Sequence, residues 1–148
     1  MISPKALRDA AAKKLSKIST AKIYENTVIE SFKAPCFFVE IAKLKCDLFK
    51  KDMVEVAATV QITYFPPIET GERVRSEKST LCMMREIAKE FCDFEIEDRI
   101  FTLTDGVSFS FLGENTDILQ ASIILSYYDS LQEENEGGEM IEEVNIRI

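Results

Sequence analysis

The sequence has no histidine, and its four cysteines do not form a C-x-x-C pair. Histidine is the usual proton shuttle of enzymes and the commonest metal ligand, so its absence removes the most frequent chemistry of both kinds. The cysteines lie at intervals foreign to zinc ribbons and fingers: Cys36, Cys46, Cys82 and Cys92. We therefore predict no metal site, no cofactor, and reduced cysteines that pack as small apolar side chains.

Glycine is scarce as well, with five in the whole chain, and none belongs to a Gly-rich phosphate loop. No G-x-S-x-G sequence marks a serine nucleophile. The carboxylates that come closest to an acid–base pair are Glu95, Glu97 and Asp98. They lie between a predicted helix and a predicted strand, where acidic side chains usually solvate a turn. We assign no catalytic residue and predict that the protein is not an enzyme.

Long apolar runs are also missing from the chain. None approaches the roughly 20 residues that a bilayer-spanning helix requires. The first residues lead into a lysine-rich amphipathic pattern, whereas a secretory signal has an apolar core followed by a cleavage site. We therefore expect no membrane partner, and synthesis and assembly in a cytoplasm.

Each end of the chain lacks charge of one sign. Residues 1–22 contain six basic side chains and a single acidic one, whereas residues 129–143 contain seven acidic side chains and no basic one. The net charge of −8 opposes binding to phosphates, so we predict no sequence-specific nucleic-acid partner. The unlike ends are either solvated faces or surfaces through which neighbouring copies meet. In the second case the candidate inter-subunit residues are Lys13, Lys14 and Lys17.

Two amphipathic helices are predicted. The first begins at Ser3-Pro4, a capping side chain followed by a proline suited to the first helical position, and ends near Ser19-Thr20. Lys14 lies close to its apolar stripe, so it either snorkels or meets another chain. The second helix runs from about residue 74 or 76 to Cys92. The predicted apolar stripes are Leu7, Ala11, Leu15 and Ile18 in the first helix, and Leu81, Met84, Ala88 and Phe91 in the second.

A long hairpin separates the two helices. Pro35 extends the chain and lacks an N–H group, which suits the start of a strand from Cys36 to about Leu48. The apolar alternation changes phase at Ala42, which indicates either a bulge or a change of environment. After a basic tip at residues 50–52, a second strand alternates strictly, with its apolar side chains on one face: Val54, Val56, Ala58, Val60, Ile62 and Tyr64.

The remaining strands are read from turn residues and alternation. Asp105-Gly106 favours a tight hairpin between residues 99–104 and 107–112. A further strand has an apolar row of Leu119, Ala121, Ile123, Leu125 and Tyr127. Residues 129–139, with Gly137-Gly138, are predicted to form an acidic flexible segment. Residues 140–148 alternate again and are predicted to form a C-terminal strand.

These elements predict a single α+β domain over residues 1–148. One mainly antiparallel sheet, made of the long hairpin and further strands, carries two helices packed on one face. The other face is polar, with threonine, serine, glutamine and glutamate along its strands. At least two strand edges are candidates for exposure, and exposed edges pair readily with other chains. Such a domain is suited to pairing with copies of itself.

Several motifs in residues 3–66 resemble the tail terminator proteins of phages and prophages of Gram-positive bacteria. They are the lysine-rich first helix, the Lys-Ile-Tyr-Glu strand at 22–25, the F-K-x-P-C-F-F-V sequence at 32–39, and the hairpin ending I-T-Y-F-P at 62–66. The resemblance is vaguer over the second helix and the Asp105-Gly106 hairpin, and absent from the acidic C-terminal part. None of these motifs is catalytic.

The resemblance implies a non-enzymatic structural protein that forms a hexameric ring. Such a ring would lie at the tail–neck junction of the virion, on the head-proximal end of the tail tube, where it ends tail polymerisation and provides the head-joining surface. The implied partners are other copies, the tail tube protein, the head–tail connector or neck protein, and the tail sheath where the tail is contractile. The hairpin tip projects beyond the predicted sheet and carries an apolar pair, so it is either the contact with the tube or a neighbouring subunit or a solvated turn: Leu48, Phe49, Lys50, Lys51 and Asp52.

Two alternatives fit the same sequence. One is a head-completion or neck protein of related fold, which would bind head connectors in place of tail tubes. The other is a monomeric adaptor or regulator whose acidic C-terminal part engages a basic partner. The oligomeric state and the capture of purified tubes or connectors discriminate between them.

Overall fold

The computed structural model describes residues 2–24, 34–67, 77–96, 99–102, 106–113 and 117–130. Within these ranges the chain forms two helices and seven strands. In chain order they are α1 (Pro4–Ile18), β1 (Lys22–Tyr24), β2 (Cys36–Lys50), β3 (Met53–Phe65), α2 (Glu77–Glu90), β4 (Asp93–Ile96), β5 (Arg99–Thr102), β6 (Val107–Leu112) and β7 (Ile118–Ser130).

Five strands form one sheet in the order β1-β2-β3-β7-β6. Every pairing in it is antiparallel except that of the short strand β1, which runs parallel to the start of β2. Strands β4 and β5 form a separate antiparallel pair. The predicted α+β class, with a mainly antiparallel sheet and two helices, is confirmed.

The core lies between the helices and one face of the sheet. The alternating apolar rows predicted in β3 and β7 are buried along their whole length, as the period of two along a strand requires. Helix α1 contributes Leu7, Ala11 and Leu15 to this core, α2 contributes Ile87, and Phe91 follows directly after α2. One face of the sheet is therefore committed to folding, and the other is left to solvent or partners.

A bulge keeps the far half of β2 in phase with β3. The pairing shifts between Ile41 and Lys43, so Ala42 is the extra residue. Beyond it, Leu44, Cys46 and Leu48 pair with the buried row of β3 and lie on the core side of the sheet. The predicted irregularity at Ala42 is confirmed. The extra residue compensates for the change of phase in the apolar pattern, so the apolar side chains before and after Ala42 lie on the same side of the sheet.

Helix α1 matches its predicted boundaries. The Ser3 side chain accepts a hydrogen bond from the Ala6 N–H at 3.1 Å, and Pro4 occupies the first turn. The Ser19 N–H closes the other end by donating to the Leu15 carbonyl. Capping residues therefore set both ends of the helix.

The apolar stripe predicted for α2 is partly wrong. Leu81 is 47% exposed and Ala88 is also exposed, whereas the fully buried apolar residues are Ile87 and Phe91. The buried side also includes Thr80, whose hydroxyl donates to the Asp117 carbonyl at 3.5 Å. The helix is rotated from the predicted orientation because a hydrogen-bonded threonine takes the place that hydrophobicity assigned to Leu81.

The predicted hairpin around Asp105-Gly106 is wrong. Strand β5 pairs with β4, and β6 pairs with β7, so the two strands flanking Gly106 belong to different sheets. The error began with β4, whose residues were assigned to an acidic turn. Its Phe94 and Ile96 alternate with exposed acids and are buried, which gives β5 a nearer partner than β6. Gly106 does have the positive φ of a turn glycine, at 69°.

Asp129 and Ser130 end β7, although the acidic flexible segment was predicted to begin at residue 129. Asp129 continues the buried row of β7 and is itself buried. Residues 131–148, which include Gly137-Gly138 and the predicted C-terminal strand, lie outside the described residues.

Candidate assembly surface

The hairpin tip, Leu48 to Asp52, joins β2 to β3. Lys50 pairs with Met53, which leaves Lys51 and Asp52 as the turn. Asp52 has a φ of 68°, in the left-handed region. Aspartate enters this region more readily than most residues, since its short side chain can hydrogen-bond to nearby backbone. The turn residues therefore hold the two long strands in a tight connection.

The tip presents apolar side chains to solvent. Leu48 is 73% exposed and Phe49 is 55% exposed, while the three polar residues of the tip are exposed as well. The Phe49 ring contacts the ring of Tyr128 on β7, with centroids 4.8 Å apart. Tyr128 is half exposed too, so an aromatic pair lies open on the polar face of the sheet beside the tip. The sequence rows of β2 and β7 did not predict this pair, because it depends on the register across β3.

Strand β2 has an unpaired edge next to the tip. Strand β1 pairs only with Cys36–Phe38, and no described strand pairs with residues 40–50 on that side. On the core side of this stretch, Leu44, Cys46 and Leu48 are exposed, although their β3 partners are buried. The stretch from residue 40 to residue 50 is called the β2 edge below. Among the described strands, the two candidate edges of the sheet are therefore the part of β2 beyond β1, and β6 on the other side.

Four basic and three acidic side chains lie along the β2 edge and the tip: Lys43, Lys45, Lys50 and Lys51, with Glu40, Asp47 and Asp52. Lys45 Nζ lies 3.5 Å from the Asp47 carboxylate, and both side chains are largely exposed. Exposed ion pairs of this kind add little stability, so the local charge stays available to an acidic partner.

The face of the sheet opposite the helices is mainly polar, as predicted. On β3 and β7 it carries Thr59, Gln61, Thr63, Gln120, Ser122 and Ser126, and β6 adds Ser108 and Ser110. The large apolar residues on this face, besides the aromatic pair, include Ile124 and Leu112, which are exposed, and Phe38, which is buried. This face can therefore form hydrogen bonds to a partner or remain in water.

The three lysines proposed for inter-subunit contact differ in their surroundings. Lys14 is only 9% exposed, and its Nζ lies 3.0 Å from Asp93 Oδ1 and donates to the Glu90 carbonyl at 3.1 Å. It therefore joins α1 to α2 and β4 within the subunit. Lys13 and Lys17 are exposed, with Lys17 Nζ 4.0 Å from a Glu90 carboxylate oxygen, so these two remain the candidates for contact with another chain.

A polar cluster anchors the structure behind the tip. Asp129 accepts a hydrogen bond from the Ile2 N–H at 2.8 Å and lies 3.5 Å from the Arg99 guanidinium. Arg99 also donates to the Tyr128 carbonyl at 2.8 Å and covers the Phe101 ring at 5.0 Å. The cluster fixes the start of α1 and β5 against the end of β7. The sequence contained one signal for the burial of Asp129: it continues the odd-numbered apolar row of β7, which lies on the buried side.

Tyr127 packs beside this cluster with its ring centroid 5.0 Å from that of Phe101. Burial, reinforced by the Asp129 carboxylate and the Cys46 thiol, raises the pKa of Tyr127 to about 12. Its buried hydroxyl has no hydrogen-bond partner among the described residues. The side chain therefore stays neutral at physiological pH and serves as a packing group.

Within the described ranges, no three cysteine, aspartate or glutamate side chains lie together as a metal site would require. Neither described helix is long and apolar enough to cross a membrane.

The described strands of this small domain leave one edge of β2 unpaired. Together with the polar sheet face and the apolar, basic tip, this edge has the features of an assembly domain.

The sequence matches the family described as phage tail terminator protein over residues 6–137. The chain therefore belongs to the phage tail terminator family, a family of structural proteins of the virion and not of enzymes. No curated protein matches the sequence significantly. The resemblance to tail terminator proteins read from residues 3–66 is confirmed at the level of the family, while the Gram-positive origin stays a prediction; the match extends across α2, the later strands and most of the acidic part.

Proposed function

We propose that this protein forms a hexameric ring on the head-proximal end of the phage tail tube, ends tail polymerisation there and provides the surface that joins the head. The observation that carries the proposal is the hairpin tip, where Leu48 and Phe49 are exposed among lysines at the end of the longest strands. Capping a polymer requires a surface that satisfies the growing end, and exposed apolar groups at a projecting turn suit this contact.

A terminator must present different surfaces on its two sides, because a copy of the growing end would continue the polymer. The subunit is asymmetric in this sense. The basic tip lies at one end of the sheet, whereas β1, the end of β6 and the start of β7 lie at the other end. Subunits that meet through unlike surfaces close into a ring when the rotation between them permits. The ring size of six is taken from the family resemblance.

Exposed Lys13 and Lys17 on α1 are the proposed contacts between neighbouring subunits. Their partners would be acidic side chains of the next copy. Such charge pairs would fix the orientation of neighbouring subunits more than they would increase the affinity between them. The neck protein would bind the tube-distal side, and the tail sheath would meet the outer rim in a contractile tail. None of these steps requires bond making, so the proposed role is non-enzymatic.

The experiment is a tail-tube assembly assay with purified tube protein. Adding the wild-type protein should shorten the tubes and place ring-shaped density at one end in negative-stain images. Phe49→Ala should raise the protein concentration required for capping at least tenfold. Leu81→Ala is the matched control, since it removes a similarly exposed apolar side chain from α2.

Two results would replace the proposal by its alternatives. Capture of purified head connectors with no effect on tube length would indicate a head-completion or neck protein. A species that stays monomeric at high concentration and with tube ends present would indicate an adaptor or regulator. Equal loss of capping in Phe49→Ala and Leu81→Ala would remove the tip from the interface.

A further inference from the structure

We propose that the C-terminal segment, residues 140–148, pairs as an antiparallel strand with the β2 edge of its own subunit. The proposal concerns the free subunit and does not depend on ring formation or on the tube. It assigns an occupant to the one long strand edge that the described part of the five-stranded sheet leaves unpaired beside exposed apolar side chains.

The β2 edge has the backbone and side chains that an added strand needs. An unpaired edge carries a row of N–H and C=O groups that a further strand can satisfy. On its core side, Leu44, Cys46 and Leu48 are exposed next to the buried side chains of Ala58, Val56 and Val54. An added strand with apolar side chains on that side would extend the core by one strand.

The C-terminal segment has the matching alternation. Its even-numbered positions are Met140, Glu142, Val144, Ile146 and Ile148, so that side is apolar except for one glutamate. Its odd-numbered positions are Ile141, Glu143, Asn145 and Arg147, a mainly polar side. The sheet requires this division of an edge strand with one face towards the core and one towards water.

Charge favours the same occupant. The β2 edge and tip carry four lysines against three acidic side chains, a net charge of +1, whereas residues 131–143 contain six acidic side chains and no basic one. Attraction between the two is strengthened because both belong to one chain and are held at high effective concentration. A second chain would have to compete with this tethered segment.

The connection is long enough. Strand β7 ends at Ser130, which pairs with Met53 beside the tip. From β7 across β3 and β2 to an added strand is three strand spacings, about 14 Å. Residues 131–139 can span about 30 Å when extended. The chain can therefore turn round the tip and run back along β2, which makes the pairing antiparallel.

One register satisfies the apolar and the charged positions together. With Met140 opposite Leu48, Val144 lies opposite Leu44 on the core side. Glu143 then lies opposite Lys45 on the polar face, and Glu142 lies opposite Cys46. The segment is about as long as the β2 edge, and it would shield that edge from self-association in the free subunit. The tip aromatic Phe49 and the β6 edge remain open to other subunits.

Native Cys46 provides a direct test in the full-length chain. All variants carry Cys82→Ser and Cys92→Ser, which removes the other exposed thiols. Opposed residues of antiparallel strands lie within disulfide reach. With oxidised glutathione as the electron acceptor, Glu142→Cys should form an intramolecular disulfide with Cys46. Glu143→Cys, the matched control, removes the same charge but faces the opposite side and should react at least tenfold more slowly.

Peptide mapping and mass spectrometry under non-reducing conditions show which cysteines are bonded and whether the bond is intramolecular. An intramolecular bond favoured at residue 142 supports the proposal. Similar rates at residues 142 and 143 would overturn it, since they would show no fixed register. Disulfide-linked dimers formed in preference to the intramolecular bond would overturn it as well, because the edge would then be occupied by another copy.

Hydrogen exchange tests the pairing without a disulfide. Val144→Asp with Ile146→Asp places two charges on the core side of the segment. It should speed exchange of the edge-facing amides between residues 43 and 48 by at least tenfold. Ile141→Asp with Asn145→Asp adds two charges on the polar side instead. This double variant should change the exchange rates of the same amides less than about twofold. Equal exchange in wild type and both variants would contradict the pairing.

Discussion

The two halves of β2 occupy opposite environments in the same strand. Its first four residues, Cys36 to Val39, are buried, whereas every residue from Ala42 to Lys50 is exposed. In the first half β1 covers the edge, and the Phe38 ring lies between those of Tyr24 and Phe65, at 5.1 and 5.5 Å. In the second half no described strand covers that edge.

The difference follows from what packs beside each half, since both contain large apolar residues. Phe37 is fully buried against Tyr64, with ring centroids 5.0 Å apart, while Phe49 contacts one exposed tyrosine. Burial of apolar area is the main source of stability, so the first half should hold the fold, while Phe49 in the second half should be free for recognition. Substitutions that remove equal numbers of atoms from the two halves test this division.

The largest effect is expected for Phe37→Ala. Removing a fully buried phenylalanine leaves a cavity and should lower the free energy of unfolding by about 3–5 kcal/mol. Phe49→Ala removes the same atoms from the exposed half and should cost about 1 kcal/mol or less. Urea denaturation of both variants measures the contrast. Similar losses in the two variants would show that the far half of β2 contributes to the core after all.

The next effect concerns the helix that covers the sheet. Lys14→Ala breaks the contacts with Asp93 and the Glu90 carbonyl and should cost about 1.5–2 kcal/mol, the lower part of the range for charged hydrogen bonds, since Asp93 is half exposed. Lys13→Ala, one residue earlier and exposed, should stay within about 0.5 kcal/mol of wild type. Thermal melts of the pair decide whether Lys14 is a structural lysine. Equal melting temperatures would return it to the inter-subunit candidates.

The sequence predicted the parts of the fold that depend on local pattern. The ends of α1 follow from Ser3, Pro4 and the end of the apolar stripe, and the buried rows of β3 and β7 follow from strict alternation. The bulge at Ala42 was visible as a change of phase. These features need no knowledge of distant partners.

The errors arose where a distant partner decides. Asp105-Gly106 is a good turn sequence, but β5 pairs with β4 because Phe94 and Ile96 are buried beside it. Leu81 lost its place in the core to Thr80, whose hydroxyl bonds to the Asp117 carbonyl. Hydrophobicity alone would place Leu81 in the core and Thr80 in solvent.

The candidate surface shows the same limit. The tip was chosen from its own residues, and Leu48 and Phe49 are exposed there; its contact with the tube or a neighbour stays a prediction. The contact of Phe49 with Tyr128 and the anchoring of Asp129 by Arg99 join residues far apart in the chain. The register across β3 brings Phe49 to Tyr128, whereas the position of the separate β4–β5 pair beside the end of β7 brings Arg99 to Asp129.

A smaller effect is expected at alkaline pH from Tyr127, which lies on the core side of β7 level with the exposed half of β2. Its pKa is raised to about 12 in the folded state, above the ordinary 10 of an unfolded chain. The unfolded chain therefore loses this proton first, so the contribution is intact below pH 10 and is lost as the pH rises towards 12.

Tyr127→Phe should reduce this alkaline loss and leave stability near neutral pH almost unchanged, because the hydroxyl has no described partner. Tyr64, whose pKa is also raised by burial, should preserve part of the dependence. Urea denaturation at several pH values from 8 to 11 measures it, with Tyr128→Phe as the exposed control. A Tyr127→Phe profile that falls as steeply as wild type would contradict the assignment.

The smallest effect is expected at the turn itself. Asp52 has a φ of 68°, a conformation that a β-branched side chain adopts only with strain. Asp52→Val should therefore lower the free energy of unfolding by about 1 kcal/mol, whereas Asp52→Asn, which tolerates the same φ, should stay within about 0.5 kcal/mol of wild type. Denaturation curves of the two variants measure the difference. Because the tip is exposed and only its turn is constrained, a loss for Asp52→Val as large as that for Phe37→Ala would mean that the tip is part of the folding core, and the division between the two halves of β2 would fail.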